Sequence, residues 1–210
     1  MGFWGFGVLG FCPLREEPGG SLWFMSAQSP RKWTTLSTRP VLDYLFIKLR
    51  EHERESPRHG KKGRFVSMEL ADWVQIIALT EKRELVLVEQ FRHGTEQITL
   101  EFPAGVVNPG EDPRLAAMRE MREETGYTSV QVHDMGFFYP NPAYQTNRCH
   151  VYFAENAVRT EEQELDEMED IVIRTPPLSE LPGMIESGAF SHGVALAALS
   201  RLMLFGRLSF

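Results

Sequence analysis

Three glutamates, Glu120, Glu123 and Glu124, stand within one short stretch that reads Arg-Glu-Met-Arg-Glu-Glu. On a helix Glu120 lies one turn from Glu124 and slightly less from Glu123, so the three carboxylates project toward one side. Like charges at that spacing cost an isolated helix about 0.2–0.5 kcal/mol, and the arrangement asks for a cation. Arg119 can pair with Glu123 one turn on, which leaves Glu120 and Glu124 for another partner. A hard divalent cation such as Mg²⁺ suits them, because it takes carboxylate oxygens, keeps waters and accepts substrate phosphates as its remaining ligands. A surface helix laced with Arg–Glu pairs is equally consistent with these residues alone.

The elements around this stretch can be read from their punctuation. Asp112 followed by Pro113 is a helix start, with Asp as N-cap and Pro at the first helical position, and Gly126 is the natural stop. Leu115, Met118, Met121 and Thr125 recur at helical spacing as the expected buried stripe. Upstream, residues 41–48 alternate like a strand, and the polar, basic stretch 50–64 reads as a hairpin connection. Short runs rich in Val, Ile, Leu and aromatics predict strands over 65–70, 73–79, 84–91 and 98–102, then over 130–139, 148–154 and 171–174. Residues 178–186 and 191–205 read as helices. Many strands, one helix, more strands and a final helix fit a mixed α/β (α+β) sandwich better than a βαβ series.

Composition sets the bounds. The 210 residues are 42% hydrophobic and 24% charged, ordinary globular values, with a formal net charge of -7. All of that excess sits in residues 161–170, which hold seven acids and no base and leave 22 charges of each sign elsewhere. The acidic balance argues against a duplex nucleic-acid partner, which requires basic residues at phosphates. Cys12 and Cys149 are too few for a disulfide framework and lack metal-ligand spacing, so a reduced, cytoplasmic setting is the default. Residues 1–14 are apolar but lack a basic region before them and are too short to span a bilayer, so neither a secretory signal nor a membrane segment is expected. Phe6 stands where a myristoylation motif needs Ser or Thr. Residues 1–38 are expected to form a loose arm, with Met25 an alternative start; residues 39–70 form an N-terminal strand region and residues 71–210 the main domain.

The stretch from Gly105 to Tyr127 is similar to the Nudix box, the signature G-x5-E-x7-R-E-U-x-E-E-x-G-U with U aliphatic. It matches at Gly105, Glu111, Arg119, Glu120, Met121, Glu123, Glu124 and Gly126. Seven fixed positions at background frequencies would coincide in a chain of this length on the order of once in a million. Tyr127 departs from the aliphatic pattern, a matter of packing at the helix end. The resemblance implies a Nudix fold, a mixed sheet between helices, hydrolysing a nucleoside diphosphate linked to another group with Mg²⁺, Mn²⁺ being an alternative. It makes Glu120 and Glu124 metal ligands, Glu123 a ligand or base, Gly105 a tight turn, Arg119 an orienting salt-bridge partner and Glu111 a residue bonded within the loop.

Gln90-Phe91-Arg92 and Glu101-Phe102-Pro103-Ala104-Gly105 resemble the ADP-ribose and nucleoside-diphosphate-sugar branch of that family. There the backbone carbonyl at Ala104 joins the metal shell, Arg92 faces the diphosphate, and Glu101 belongs to the substrate-binding motif. Pro142 matches a further marker of this branch, whereas Tyr144 falls where diadenosine polyphosphate hydrolases carry a tyrosine. Two upstream motifs favour the sugar branch. Glu167-Met168-Glu169-Asp170, just before a strand, resembles an acidic loop of related enzymes, which would make Glu169 a metal ligand and Glu167 a general base, with Glu161, Glu162 and Glu164 solvated. Family resemblance also implies a homodimer through the N-terminal strands, with Phe46, Phe65 and Trp73 available to stack on a purine. A non-catalytic nucleotide-sensing module remains a competing reading, opposed by the intact box acids. His93, His150 and His192 have no partners at ligand spacing and read as structural or surface residues.

Overall fold

The computed structural model describes residues 30–208; the expectations for Cys12 and for a start at Met25 lie outside the described residues. The first three strands, β1 (Thr34–Tyr44), β2 (Ile47–Glu55) and β3 (Lys62–Glu69), form an antiparallel sheet of their own in the order β1-β2-β3. This corrects three boundaries. Residues 34–38, assigned to the arm, begin β1; residues 41–48 span a turn rather than one strand; and the basic stretch 50–64 is mostly strand. Polar residues hide these strands because neither face is buried in a core, so the period of two is lost: every residue of β1 is exposed.

The second sheet has seven strands: β4 (Trp73–Leu79), β5 (Leu85–Arg92), β6 (Gln97–Glu101), β7 (Ala104–Val106), β9 (Gln131–Phe138), β10 (Cys149–Glu155) and β12 (Ile171–Arg174). Its path runs β12-β5-β4-β10-β9, with β6 beside β5 and β7 beside β4. Only β4 and β10 are parallel, so the sheet is mixed. A short pair, β8 (Tyr127–Thr128) with β11 (Val158–Arg159), lies outside it.

Alternation along β4 builds two cores. Val74, Ile76 and Ala78 face α1 (Pro113–Thr125), packing with Val86, Ala116, Ala117, Met121 and Tyr152. Ile77 and Leu79 face the opposite layer, α2 (Leu181–Glu186) and α3 (Gly193–Leu204), through Leu181, Ala195, Ala198, Leu199 and Leu202. The sheet is therefore sandwiched between helices, as expected. A single 3-10 turn over Leu178–Glu180 precedes α2.

Helix α1 starts and stops where its punctuation predicts. Asp112 accepts the Arg114 N–H at 2.7 Å, and Gly126 ends the helix in the left-handed region, at φ 70°. The buried stripe is shifted, however. Leu115 is exposed, and Ala116 and Ala117 take the inner face with Met121, Glu124 and Thr125. Ala116 and Ala117 pack with Val74, Ile76 and Ala78 of β4, and Glu124 lies on the same buried side.

The acidic loop docks on the open end of this helix. Thr160 and Glu161 donate their N–H groups to the Gly126 carbonyl at 2.9 and 3.2 Å, and Glu164 donates to the Glu123 carbonyl at 2.9 Å. The Gln163 amide reaches the Glu124 carbonyl at 2.7 Å. These bonds satisfy carbonyls that every helix C-terminus leaves unpaired. A Cβ on Gly126 would stand 2.1 Å from the Glu161 carbonyl oxygen, in a conformation that only glycine adopts freely. Gly126→Ala is therefore expected to cost more than about 1 kcal/mol in urea denaturation; wild-type stability would mean that the loop does not pack against this helix end.

Candidate functional site

The carboxylates of α1 are pressed against β7. Glu124 is 3% exposed and accepts the Ala104 N–H at 3.0 Å. Gly105 is the closest point of approach: a Cβ there would lie 2.0 Å from the Glu120 carboxyl carbon. The expectation of a tight turn at Gly105 is thus corrected. It sits within a strand and is glycine because the Glu120 side chain occupies the space of its missing one.

Arg119 does more than pair with Glu123. Its Nε and Nη2 bind Glu111 at 2.9 and 3.1 Å, Nη1 binds Glu120 at 2.8 Å and Glu123 at 3.1 Å, and Nη2 also reaches the Val106 carbonyl at 3.2 Å. Glu120 is therefore not free of protein cations. Glu111 also accepts the Asn108 N–H at 3.0 Å, so it closes the loop between β7 and α1, as anticipated.

Burial pushes the Glu120 carboxyl above its usual range; Arg119 opposes the shift, and the charges of Glu123 and Glu169 add to it. Glu124 is raised further, first by burial, against the Ala104 hydrogen bond, with Glu120 and Glu169 adding repulsion and Arg92 relieving it. The loop acid Glu169 thus lies within electrostatic reach of both. Its own carboxylate accepts the Asp166 N–H at 3.1 Å, which shapes the turn carrying exposed Glu167. Glu161 and Glu164 are not merely solvated. Both pair with Arg122, at 3.3 and 3.0 Å, and Glu162 pairs with Arg159 at 2.7 Å.

Among the described residues no three acids, histidines or cysteines converge on one point. The donor set nevertheless fits a hard cation. A buried and a partly buried carboxylate one turn apart repel each other, both hold their protons more tightly than usual, and Mg²⁺-type sites use one or two carboxylates with phosphate oxygens and water rather than a closed protein cage.

Across the sheet, Arg92 and Glu101 form a fork. Nε donates to Oε1 at 2.7 Å and Nη2 to Oε2 at 2.6 Å, with the Thr99 hydroxyl also on Oε1. Glu101 is completely buried; burial would raise its pKa, but Arg92, Thr99 and His192 together hold it below the usual range. Arg92 lines a cavity of about 620 Å³ together with Trp73, Gln75, Ala104, Gly105 and His192. That size suits a small-molecule ligand. Gln75 is 1% exposed, and its Oε1 has no hydrogen-bond partner, an acceptor that a ligand hydroxyl or amine would satisfy.

Pro142 and Tyr144 lie on the loop between β9 and β10 and do not line this cavity. The Tyr144 carbonyl instead accepts the Met68 N–H at 2.7 Å, tying β3 to this loop. His150 pairs with Asp72 at 3.2 Å and His93 stacks edge-on with Phe91, structural and surface roles as read. His192 is structural too, since its Nδ1 caps α3, but it also reaches the cavity. Spacing could not find this, because the partner lies 91 positions away, on β6. Cys149 is a buried free thiol pushed up to about 12 by burial.

Comparison with known proteins agrees with this geometry. A model of the NUDIX domain matches residues 69–199, and the chain belongs to that family. It is 31% identical over 154 residues to an ADP-ribose pyrophosphatase of Bacillus subtilis, across 73% of this chain and 83% of that protein. It is also 31% identical over 145 residues to the methanol dehydrogenase activator of Bacillus methanolicus, across 66% and 78%. The fold superimposes on the crystal structure of an ADP compounds hydrolase with a TM-score of 0.75 at 24% identity, covering 87% of this chain and all of that one. The chain is thus a Nudix hydrolase, of a family that generally uses divalent metals. Strands β1 and β2 precede the matched region.

Because the Glu124 pKa is raised on folding, the native state binds more protons than the unfolded chain between the ordinary carboxylate range and the raised value. Stability from this group is therefore lost as pH rises through that window. In chelator, Glu124→Gln is expected to be more stable than the parent at pH 7 to 8, an advantage that shrinks as pH falls toward the ordinary carboxylate value of 4.5. Urea denaturation across pH checks this; a pH-independent difference would contradict the assigned burial.

Proposed function

We propose that this enzyme is a Mg²⁺-dependent pyrophosphatase that hydrolyses nucleoside diphosphate sugars, ADP-ribose among them, to a nucleoside monophosphate and a sugar phosphate. The observation that carries the reading is the pairing of buried Glu124 with partly buried Glu120 beside a cavity lined by Arg92 and Ala104. The names of its relatives, ADP-ribose pyrophosphatase and ADP compounds hydrolase, support the same substrate class.

In this reading Glu120, Glu124, Glu169 and the Ala104 carbonyl hold the metal, Mn²⁺ being able to substitute. A divalent cation supplies charge neutralisation at the diphosphate and lowers the pKa of water. Arg92, already oriented by Glu101, meets the charge that develops on the phosphoryl oxygens. For the base, Glu167 is favoured over Glu123. The Glu123 carboxylate is committed to two guanidinium groups, Arg119 and Arg122, each at 3.1 Å, whereas Glu167 is exposed on the turn beside Glu169. ADP-ribose would yield AMP and ribose 5-phosphate.

The finer assignments rest on surface chemistry. Val41, Leu42, Tyr44, Phe65 and Val66 are exposed on the β1–β3 sheet and Phe46 on the turn between β1 and β2, and exposed apolar residues grouped in this way support a homodimer formed through it. Pro142 and Tyr144, on the loop bonded to β3, would then meet substrate only with a partner subunit's help. Trp73 lines the cavity and is the best placed of the three aromatics to stack on a base. The buried reduced thiol of Cys149 suits the cytoplasm, and the acidic balance suits a small-molecule substrate rather than nucleic acid. Among the described residues no helix is long and apolar enough to cross a membrane.

Glu120→Gln and Glu124→Gln are each expected to lower Mg²⁺-dependent release of AMP from ADP-ribose by at least about 100-fold while leaving the fold intact. Activity within a few-fold of wild type for either would remove the metal assignment. A panel of ADP-ribose, GDP-mannose, UDP-glucose, NADH and diadenosine polyphosphates ranks the substrates, and preference for the last would reverse the choice of branch.

A further inference from the structure

Arg92 is useful to a diphosphate only if its guanidinium is held still, and what holds it is the carboxylate of Glu101. That carboxylate sits at the end of the five-residue strand β6, at the side of the main path of the sheet. Two of its neighbours are local in sequence, Thr99 and Arg92. The third comes from the opposite layer. His192 Nε2 stands 3.6 Å from Glu101 Oε2, while its Nδ1 accepts the Ala195 N–H at 3.3 Å as the N-cap of α3.

The cap decides the tautomer. Because Nδ1 accepts a backbone N–H, the neutral ring carries its proton on Nε2, directed at Glu101. The imidazole thereby links a twelve-residue helix anchored in the core to the carboxylate that orients Arg92. The fork uses Nε and Nη2 of Arg92 and leaves Nη1 outside it, on a side chain that lines the cavity together with His192. At 3.6 Å this is a polar contact beyond hydrogen-bond distance, and catalytic contacts that are long without substrate often tighten when it is bound.

We propose that His192 is a positioning residue, which braces Glu101 from the N-cap of α3 and so fixes the guanidinium of Arg92 for the diphosphate. The inference rests on the pyrophosphatase reading in one respect only, the identity of the anion that Arg92 meets. It makes His192 part of the binding machinery although it touches no reacting atom.

Two substitutions separate bracing from capping. His192→Asn keeps a side-chain acceptor for the cap but is too short to reach Glu101; His192→Gln carries a donor near the position of Nε2 but is a poorer cap. The expected result is a roughly tenfold fall in kcat/KM for ADP-ribose in His192→Asn, with little change in thermal stability, and recovery to within about threefold in His192→Gln despite a lower Tm. In an Arg92→Ala background, His192→Asn should have no further effect, because its route to the substrate is gone. Affinity for adenosine 5′-(α,β-methylene)diphosphate, measured by calorimetry, should follow the same order. Wild-type kcat/KM in His192→Asn, equal losses in both variants, or additive losses with Arg92→Ala would each overturn the proposal while leaving the pyrophosphatase reading intact. A wild-type protein that neither hydrolyses ADP-ribose nor binds the methylene analogue would overturn both.

Discussion

Two carboxylates of one helix, Glu120 and Glu124, are held on its inner side, against the backbone of β7. Burying a charge is costly unless it is paired, and the cost rises when the nearest neighbour carries the same sign. The surroundings of these residues respond to that constraint. Arg119 spans Glu111, Glu120 and Glu123, the Ala104 N–H is spent on Glu124, and Gly105 has no side chain because Glu120 fills its place. These contacts offset the repulsion without abolishing it, as the raised pKa values of both groups record. In the proposed reading a divalent cation supplies what remains.

The chain's net charge follows from the same constraint. Its excess acid is confined to residues 161–170, and that loop is fastened to the C-terminal end of the helix that carries Glu120 and Glu124. Backbone bonds to Gly126 and Glu123 and the Arg122 pairs hold its first half, so that its second half brings Glu169 within reach of the helix carboxylates. A stretch that composition alone describes as solvated keeps its acids exposed but is also packed on the end of the helix that carries Glu120 and Glu124. An acidic protein can take an anionic substrate when a cation lies between the two.

Much of this was legible in the sequence because it depends on local chemistry. Asp112, Pro113 and Gly126 delimit the helix whatever surrounds it, and apolar alternation marks the strands that pack on both faces. Features set by distant contacts were not legible. The stripe of α1 runs through Ala116, Ala117 and Met121 rather than Leu115, because those are the residues that pack with β4. Strands β2 and β3 are polar because their sheet has no core to face, and the roles of Gly105 and His192 depend on residues 15 and 91 positions away. The exposed apolar surface of that first sheet was equally beyond reach of periodicity, since it is meaningful only once the strands are known to lack a covering layer.

We propose the Glu120–Glu124 pair as a cation site whose metal-free form holds protons more tightly than ordinary carboxylates do. Calorimetric titration of Mn²⁺ into the chelator-treated protein, in two buffers of different ionisation enthalpy just above the ordinary carboxylate range, measures both the binding and the protons it expels. Saturable binding is expected, with net proton release that is reduced in Glu124→Gln. Binding of equal affinity and equal proton release in wild type and Glu124→Gln, or no binding in either, would contradict it.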